Sequence, residues 1–288
     1  MRVLIIGCGY VGVPLGRSLV LDGHEVFGLR RSSAADAELI TAGIGPLHAD
    51  ITDLNQLQAI TPLFDWVINL VSSTRGGPEE YSAVYLQGTR NILAWLRPHP
   101  PLRFIYTSST SVYAQDDGSI VEEGSLTAPT NQTSRILLET ENELLHHKWL
   151  PSLILRVAGI YGPGRGHLFK QFLRDEAVLR GDGESYINMI HLADLAAAIV
   201  HLLKLPASPT NQLLNIVDDE PVKQREFFEW LAGRLGKPMP PSVPPDPARK
   251  RGLTNKRVSN AKLKAANFSL IYPTFREGYE SEIKLLKQ

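Results

Sequence analysis

Residues 3–16 read VLIIGCGYVGVPLG, which sets Gly7, Gly9 and Gly12 in the spacing G-x-G-x-x-G directly after an apolar run. Glycines so spaced suit a dinucleotide. The first permits a tight turn, the second lets backbone approach a pyrophosphate, and the third lets strand and helix pack closely. The phosphates then rest on the helix N-terminus, where unpaired N–H groups and the helix dipole favour negative charge. Tyr10 and Val11 lie inside the same turn and belong to the candidate site. About 20 residues on, an NAD-type site presents an acid to the ribose 2′-hydroxyl. Here the second apolar run ends GLRRSS, with Arg30, Arg31 and Ser32 in that place. Guanidinium groups fork onto phosphate oxygens, so this end suits a 2′-phosphate and predicts NADP(H) in preference to NAD(H). The next strand end, HADITD, offers Asp50 and Ile51 to an adenine edge and face, and Asp53 reads as a helix N-cap. Leu70, Val71 and Thr107 complete the candidate cofactor site at the ends of two further apolar runs, the side on which such sheets take ligands.

The elements that must position these residues are legible as short apolar runs alternating with longer amphipathic segments. Candidate strands are 2–6, 25–29, 45–49, 66–71, 103–108 and 152–157, with candidate helices at 11–22, 79–97 and 134–148. Continuous apolar runs joined by helical crossovers mark a parallel sheet buried on both faces. The fold class is therefore α/β, a doubly wound Rossmann sheet with a smaller C-terminal lobe. After residue 160 the texture changes to a glycine-rich YGPGRG, a helix near 167–179, a helix LADLAAAIVHLLK and a strand at 212–217. We expect a dinucleotide domain over 1–160, rejoined by part of 185–217, and a substrate lobe formed mainly by 161–288. Proline-rich KPMPPSVPPDP at 237–247 cannot continue a helix and reads as a loop.

Taken together, the glycine fingerprint, ADITD, TSSTSVYA, the helix RILLE, LRVAGIYGPGR, NMIHLADLAAAI and LLNIVDDEPV resemble the extended short-chain dehydrogenase/reductases of the epimerase/dehydratase type. The likeness runs from residue 2 to about 283, and its features together are far more specific than the glycines alone. It implies a lobe that closes over a small-molecule substrate, often a nucleotide-linked sugar, and two helices that often form a homodimer face. Ser109, four before Tyr113, matches the family serine that hydrogen-bonds the reacting oxygen. The family follows it with a tyrosine, a lysine four positions on, and an acid four further. Aligned on Glu139 as the acid, Arg135 stands at the lysine and Asn131 at the tyrosine. Tyr85 occupies a place where the family often has asparagine. The serine cluster carries TSV where the 4,6-dehydratases have Thr-Asp-Glu, which argues against dehydration.

These substitutions bear on the chemistry. Asparagine has no titratable proton, so Asn131 cannot act as general acid or base. Arg135 retains a cation for the ribose but does not deprotonate. Tyr161, in GIYGPG, is the first candidate to move the proton instead, with Tyr113 and His191 behind it. Two readings stand: an NADP(H)-dependent oxidoreductase or epimerase with a degenerate site, and a dinucleotide-binding sensor or scaffold without turnover. The histidines, His146–His147 included, have no metal-ligand spacing, so no metal is expected.

Composition narrows the partners. The chain has 288 residues, 30 lysines plus arginines against 30 acids, and one cysteine, Cys8. Zero net charge gives no reason to expect nucleic acid or a membrane surface. A single cysteine excludes an internal disulfide and fits a reducing compartment, so the expected location is cytoplasmic. The apolar start is not read as a signal peptide, because glycines, Pro14 and Arg17 interrupt it and no cleavage pattern follows. Residues 249–264 carry seven cations and no acid, either a solvated basic face or an anion pocket for a substrate diphosphate.

Overall fold

The computed structural model describes residues 1–73, 76–206, 211–244 and 254–286. Seven strands make the main sheet: β1 (Arg2–Ile6), β2 (Glu25–Arg30), β3 (Gly45–His48), β4 (Trp66–Asn69), β5 (Arg103–Ser109), β6 (Ser152–Val157) and β7 (Gln212–Ile216). Their order is β3-β2-β1-β4-β5-β6-β7. The pairs β1–β2, β2–β3, β1–β4 and β4–β5 are parallel. The chain winds outward from β1 to β3, then returns to place β4 on the other side of β1. The C-terminal ends of β1 and β4 thus flank the point where the order reverses, the usual ligand position of a doubly wound sheet. Val3, Leu4, Ile5 and Ile6 of the central strand are all fully buried, which is why the run carries no polar alternation.

Two compact units divide the chain. The first comprises residues 1–112, 128–156 and 196–214, and the second 113–127, 157–195 and 215–288. The return to the first unit is therefore 196–214, inside the expected 185–217. The expected boundary at 160 overlooked residues 113–127. They belong to the second unit because Ile120–Val121 pairs with Arg257–Val258, and because the Tyr113 hydroxyl donates to Asn215 Oδ1 at 2.8 Å. The core of the second unit is aromatic, built on Tyr161, Phe169, Phe172, Phe227, Phe228, Phe275 and Tyr279.

One expectation for the C-terminal third is corrected. Within the proline-rich stretch, Ser242–Val243 pairs in parallel with Leu179–Arg180; 245–247 lie outside the described residues. Arg249, Lys250 and Arg251 also lie outside them; of the described cations of the basic segment, Lys256 is buried, Arg257 half-buried, and Lys262 and Lys264 exposed. Lys256 is buried and donates to the Tyr113 carbonyl at 3.1 Å and Thr254 Oγ1 at 2.7 Å. Burial pushes its ammonium down to about 8. Arg257 donates to the Gly118 carbonyl, and Lys264 pairs with Asp219 at 2.8 Å. Among the described residues, no helix is long and apolar enough to cross a membrane.

Candidate functional site

At the end of β1 the chain makes the turn that the glycine spacing predicts and enters the helix Gly12–Leu21. Each glycine is there for a different reason. Gly7 has φ +75°, and a Cβ on it would stand 2.8 Å from Val71 Cα. A Cβ on Gly12 would press on Cys8 Sγ and Ile5 Cγ2 at 3.1 Å, so this position seals helix against strand. At Gly9 a Cβ would meet nothing nearer than the Gly7 carbonyl, 3.9 Å away. Packing does not explain that glycine. The open side leaves its backbone accessible from outside, and the helix end behind it suits an anion. Val11, the N-cap, makes no side-chain capping bond, and the first turn carries no acid. A pyrophosphate fits this cradle in shape and charge. Cys8 is fully buried within the turn, its thiol pushed up to about 12 by burial, against a smaller downward pull from Arg30.

The two arginines after the second strand part company. Arg30 is mostly buried and its guanidinium is engaged inward, Nε donating to the Cys8 carbonyl and Nη2 to Glu38 Oε2 at 2.8 Å. Arg31 is exposed and lines a cleft of about 600 Å³ together with Gly76, Gly77, Pro78, Glu79, Glu80 and Gln132. Sequence reasoning missed the 76–80 wall. Its signal was GGP: Gly76 and Gly77 have φ of 72° and 96°, and Pro78 opens the next helix. On that wall Glu80 Oε2 accepts from Ser73 Oγ at 2.6 Å, while Ser73 N–H donates to the Tyr85 hydroxyl at 3.2 Å. Tyr85 lies in a π-helical stretch, Ser82–Gln87.

The remaining cofactor candidates occupy strand ends in more structural roles. Asp53 caps its helix, accepting from Asn55 N–H at 2.9 Å. Asp50 Oδ1 accepts from both the backbone and the hydroxyl of Thr52, and Ile51 is buried against the helix Gly88–Leu96. Leu70 donates its N–H to the Ile6 carbonyl, Val71 to Asn69 Oδ1, and Thr107 its hydroxyl to the Asn69 carbonyl. Ser32 is exposed and makes no side-chain capping bond to the short helix that follows. Tyr10 is half-buried in the glycine turn.

Asn131 and Arg135 are not brought together as a reacting pair. Asn131 is the N-cap of the helix Gln132–His146, its Oδ1 accepting from Ser134 N–H and Thr133 Oγ1–H, both at 2.8 Å. Arg135 lies on the exposed face, and its Nε donates to the Pro129 carbonyl at 3.0 Å. Glu139 is exposed too, 3.8 Å from Arg90. The buried acid of this helix is Glu141. It takes Arg156 Nη2 at 2.7 Å and Nε at 3.1 Å, and accepts from Ser108 Oγ at 2.6 Å. Next to that cluster Ser109, at the end of β5, accepts from Ser111 N–H at 3.2 Å.

Tyr161 was the expected proton carrier; it is instead part of the second unit's core. It is 1% exposed, stacked on Tyr279 with centroids 4.5 Å apart, and its hydroxyl faces the Thr274 carbonyl at 3.4 Å. Burial, then the nearby Asp218, pushes its phenol well above the ordinary range, so it holds its proton rather than passing it. Tyr113 is fully buried on Asn215. His191 is held down to about 4 by burial and accepts from Ala193 N–H at 3.1 Å. Among the described residues no cluster of three or more His, Cys, Asp or Glu could hold a metal ion.

Residues 3–216 match the NAD dependent epimerase/dehydratase family. The protein YeeZ of Escherichia coli K12 is 32% identical over 244 residues, covering 82% of this chain and 84% of its own. A solved structure from Methylobacillus flagellatus, described as a candidate NAD-dependent epimerase/dehydratase, is 33% identical with a TM-score of 0.82, covering 100% of this chain and 99% of its own. UDP-glucuronic acid 4-epimerase from Bacillus cereus, solved with NAD, superposes with a TM-score of 0.81 at 21% identity, covering 100% and 97% of the two chains, a likeness of fold.

Proposed function

The chain belongs to the NAD dependent epimerase/dehydratase family, and on that footing we propose that it is an NADP(H)-dependent oxidoreductase or epimerase acting on a small polar substrate of the nucleotide-linked sugar type. The observation that carries the cofactor half is Gly9: a glycine that no packing requires, at an uncapped helix N-terminus. The turn at 7–12 holds the pyrophosphate, and Arg31 on the cleft wall offers its guanidinium to a 2′-phosphate. When bound, the nicotinamide supplies or takes up a hydride. The substrate class draws on fold neighbours such as the Bacillus cereus UDP-glucuronic acid 4-epimerase.

The residues that serve the proton differ from the family pattern. Counting back four and eight from the buried acid Glu141, rather than from Glu139, puts Leu137 at the lysine place and Thr133 at the tyrosine place. In either register the helix carries no phenol and no amine. Ser109 orients the substrate oxygen: its Oγ accepts from Ser111 N–H and keeps its own proton to donate. The titratable groups on the cleft wall are Glu79 and Glu80, with Arg31 opposite in charge, and Glu80 is held by Ser73. That cleft takes the adenosine 2′-phosphate, so the proton step is assigned instead to the substrate oxygen on Ser109, with water as the exchanging group. Ser109→Ala should lower kcat by the ~10²–10³-fold of a lost hydrogen-bond donor to the reacting oxygen and leave NADPH affinity unchanged. The test is calorimetric titration with NADPH and NADH, followed by turnover of UDP-sugars read from nicotinamide absorbance and product analysis. Equal affinity for the two cofactors would remove the NADP reading. NADPH binding without turnover of any UDP-sugar would remove the proposed substrate class.

A further inference from the structure

Arg30 is the last residue of β2, and Arg31 stands in the bend that follows. The structure separates them further. The Arg30 guanidinium spans three acceptors: the Cys8 carbonyl, the Ala35 carbonyl at 3.4 Å and Glu38 Oε2 at 2.8 Å. Its side chain is 16% exposed. Glu38 compensates its charge, which weakens what it could offer a phosphate. Arg31 faces the cleft and makes no comparable hydrogen bond or ion pair among the described residues.

What Arg30 grips is the middle of the glycine turn. The Leu29 carbonyl accepts from Gly7 N–H at 3.0 Å and Cys8 N–H at 3.3 Å, and Arg30 then takes the Cys8 carbonyl. Both polar edges of Cys8 are therefore pinned to the end of β2. The Cys8 carbonyl belongs to the peptide plane that leads into Gly9, whose own N–H closes on the Gly7 carbonyl at 2.7 Å. Fixing that plane fixes the direction from which a pyrophosphate can approach Gly9. Such pre-organisation favours any dinucleotide, with or without a 2′-phosphate.

We infer that the two arginines divide the work: Arg31 alone reads the 2′-phosphate, and Arg30 is a positioning residue that sets the glycine turn for NADPH and NADH alike. The first half rests on the NADP reading above; the second does not. Calorimetry with NADPH and NADH, each run well below the variant's melting temperature, separates the roles. Arg31→Ala should cost NADPH roughly 10–100-fold in affinity and leave NADH unchanged, so the preference disappears. Arg30→Ala should weaken both cofactors by the same factor and preserve their ratio. A variant that is only less stable would keep both affinities at that temperature, so a parallel loss identifies positioning. Glu38→Ala, a surface change that frees one edge of Arg30, gives a second reading should Arg30→Ala fail to fold. The ratio should stay put, whereas a rise in NADPH preference would make Arg30 a phosphate reader and overturn the division. Arg30→Ala that shifts the ratio, or leaves both affinities intact, overturns it as well. If the unmutated protein shows no preference, the NADP reading fails, and a parallel loss in Arg30→Ala still upholds the positioning role.

Discussion

Two helices of the first unit begin in opposite ways. Gly12–Leu21 starts behind a turn whose N-cap, Val11, makes no capping bond, and whose middle glycine has open space where a side chain would go. Gln132–His146 starts behind Asn131, whose carboxamide oxygen closes on Ser134 N–H and the Thr133 hydroxyl. The first helix leaves its positive end open to an outside anion; the second satisfies part of its own. A helix start finished by its own side chain is structure, and one left open beside an unexplained glycine is where a ligand belongs. The residue that looked like a lost catalytic tyrosine is a cap.

The contrast can be broken at several points. The largest expected effect is at the anchor of the second helix. Arg156→Leu would leave Glu141 buried and unpaired, at a cost of ~3–5 kcal/mol. Denaturant unfolding should register that loss with no change in NADPH affinity of the folded fraction; a loss of affinity instead would make this helix part of the cofactor site. Cys8 probes the first corner. Its thiol, pushed up to about 12, leaves roughly one thiolate in 10⁴ at pH 8. Labelling should run about three powers of ten below an ordinary exposed thiol and climb about tenfold per pH unit towards 12. A plateau near the ordinary thiol value, in folded protein, would show the turn to be open. Smallest is the cap itself. Asn131→Ala should cost ~1 kcal/mol, Asn131→Asp much less, and neither should alter cofactor affinity. Asn131→Tyr combined with Arg135→Lys should give no gain in turnover; a gain would restore those positions to the active site.

Much of this was legible in the chain. The seven strands follow the apolar runs to within a residue or two, because strands buried on both faces need no polar alternation. The glycine turn was legible because its spacing alone is distinctive, although the neighbour that crowds Gly7, Val71, lies far along the chain. What failed depended on facing. Glu139 and Glu141 sit two apart on one helix, about 200° around its axis, and only the burial of Arg156 decides which of them is the inward acid. Arg30 ends the strand with its guanidinium turned inward, and Arg31 stands in the bend beyond it, a difference set by the residue at which the strand stops. Tyr161 was read from its loop motif, but its burial is set by Tyr279, far along the sequence. Asn131 did carry the signal of a cap, being a preferred residue at a helix start; alignment to the family tyrosine obscured it.

In the proposed reading the dinucleotide sits on the open helix start, against the bare backbone of Gly9. Gly9 is not among the positive-φ glycines and has room for a side chain, so Gly9→Val should fold. Its isopropyl group would stand where the pyrophosphate must lie. Calorimetric titration of Gly9→Val with NADPH, beside the unmutated protein and with melting temperatures matched, tests this directly. Gly9→Val should lose about 100-fold or more, ~2.8 kcal/mol at 1.4 kcal/mol per tenfold, with the fold retained. Unchanged affinity in a folded Gly9→Val protein would contradict the reading and place the dinucleotide elsewhere.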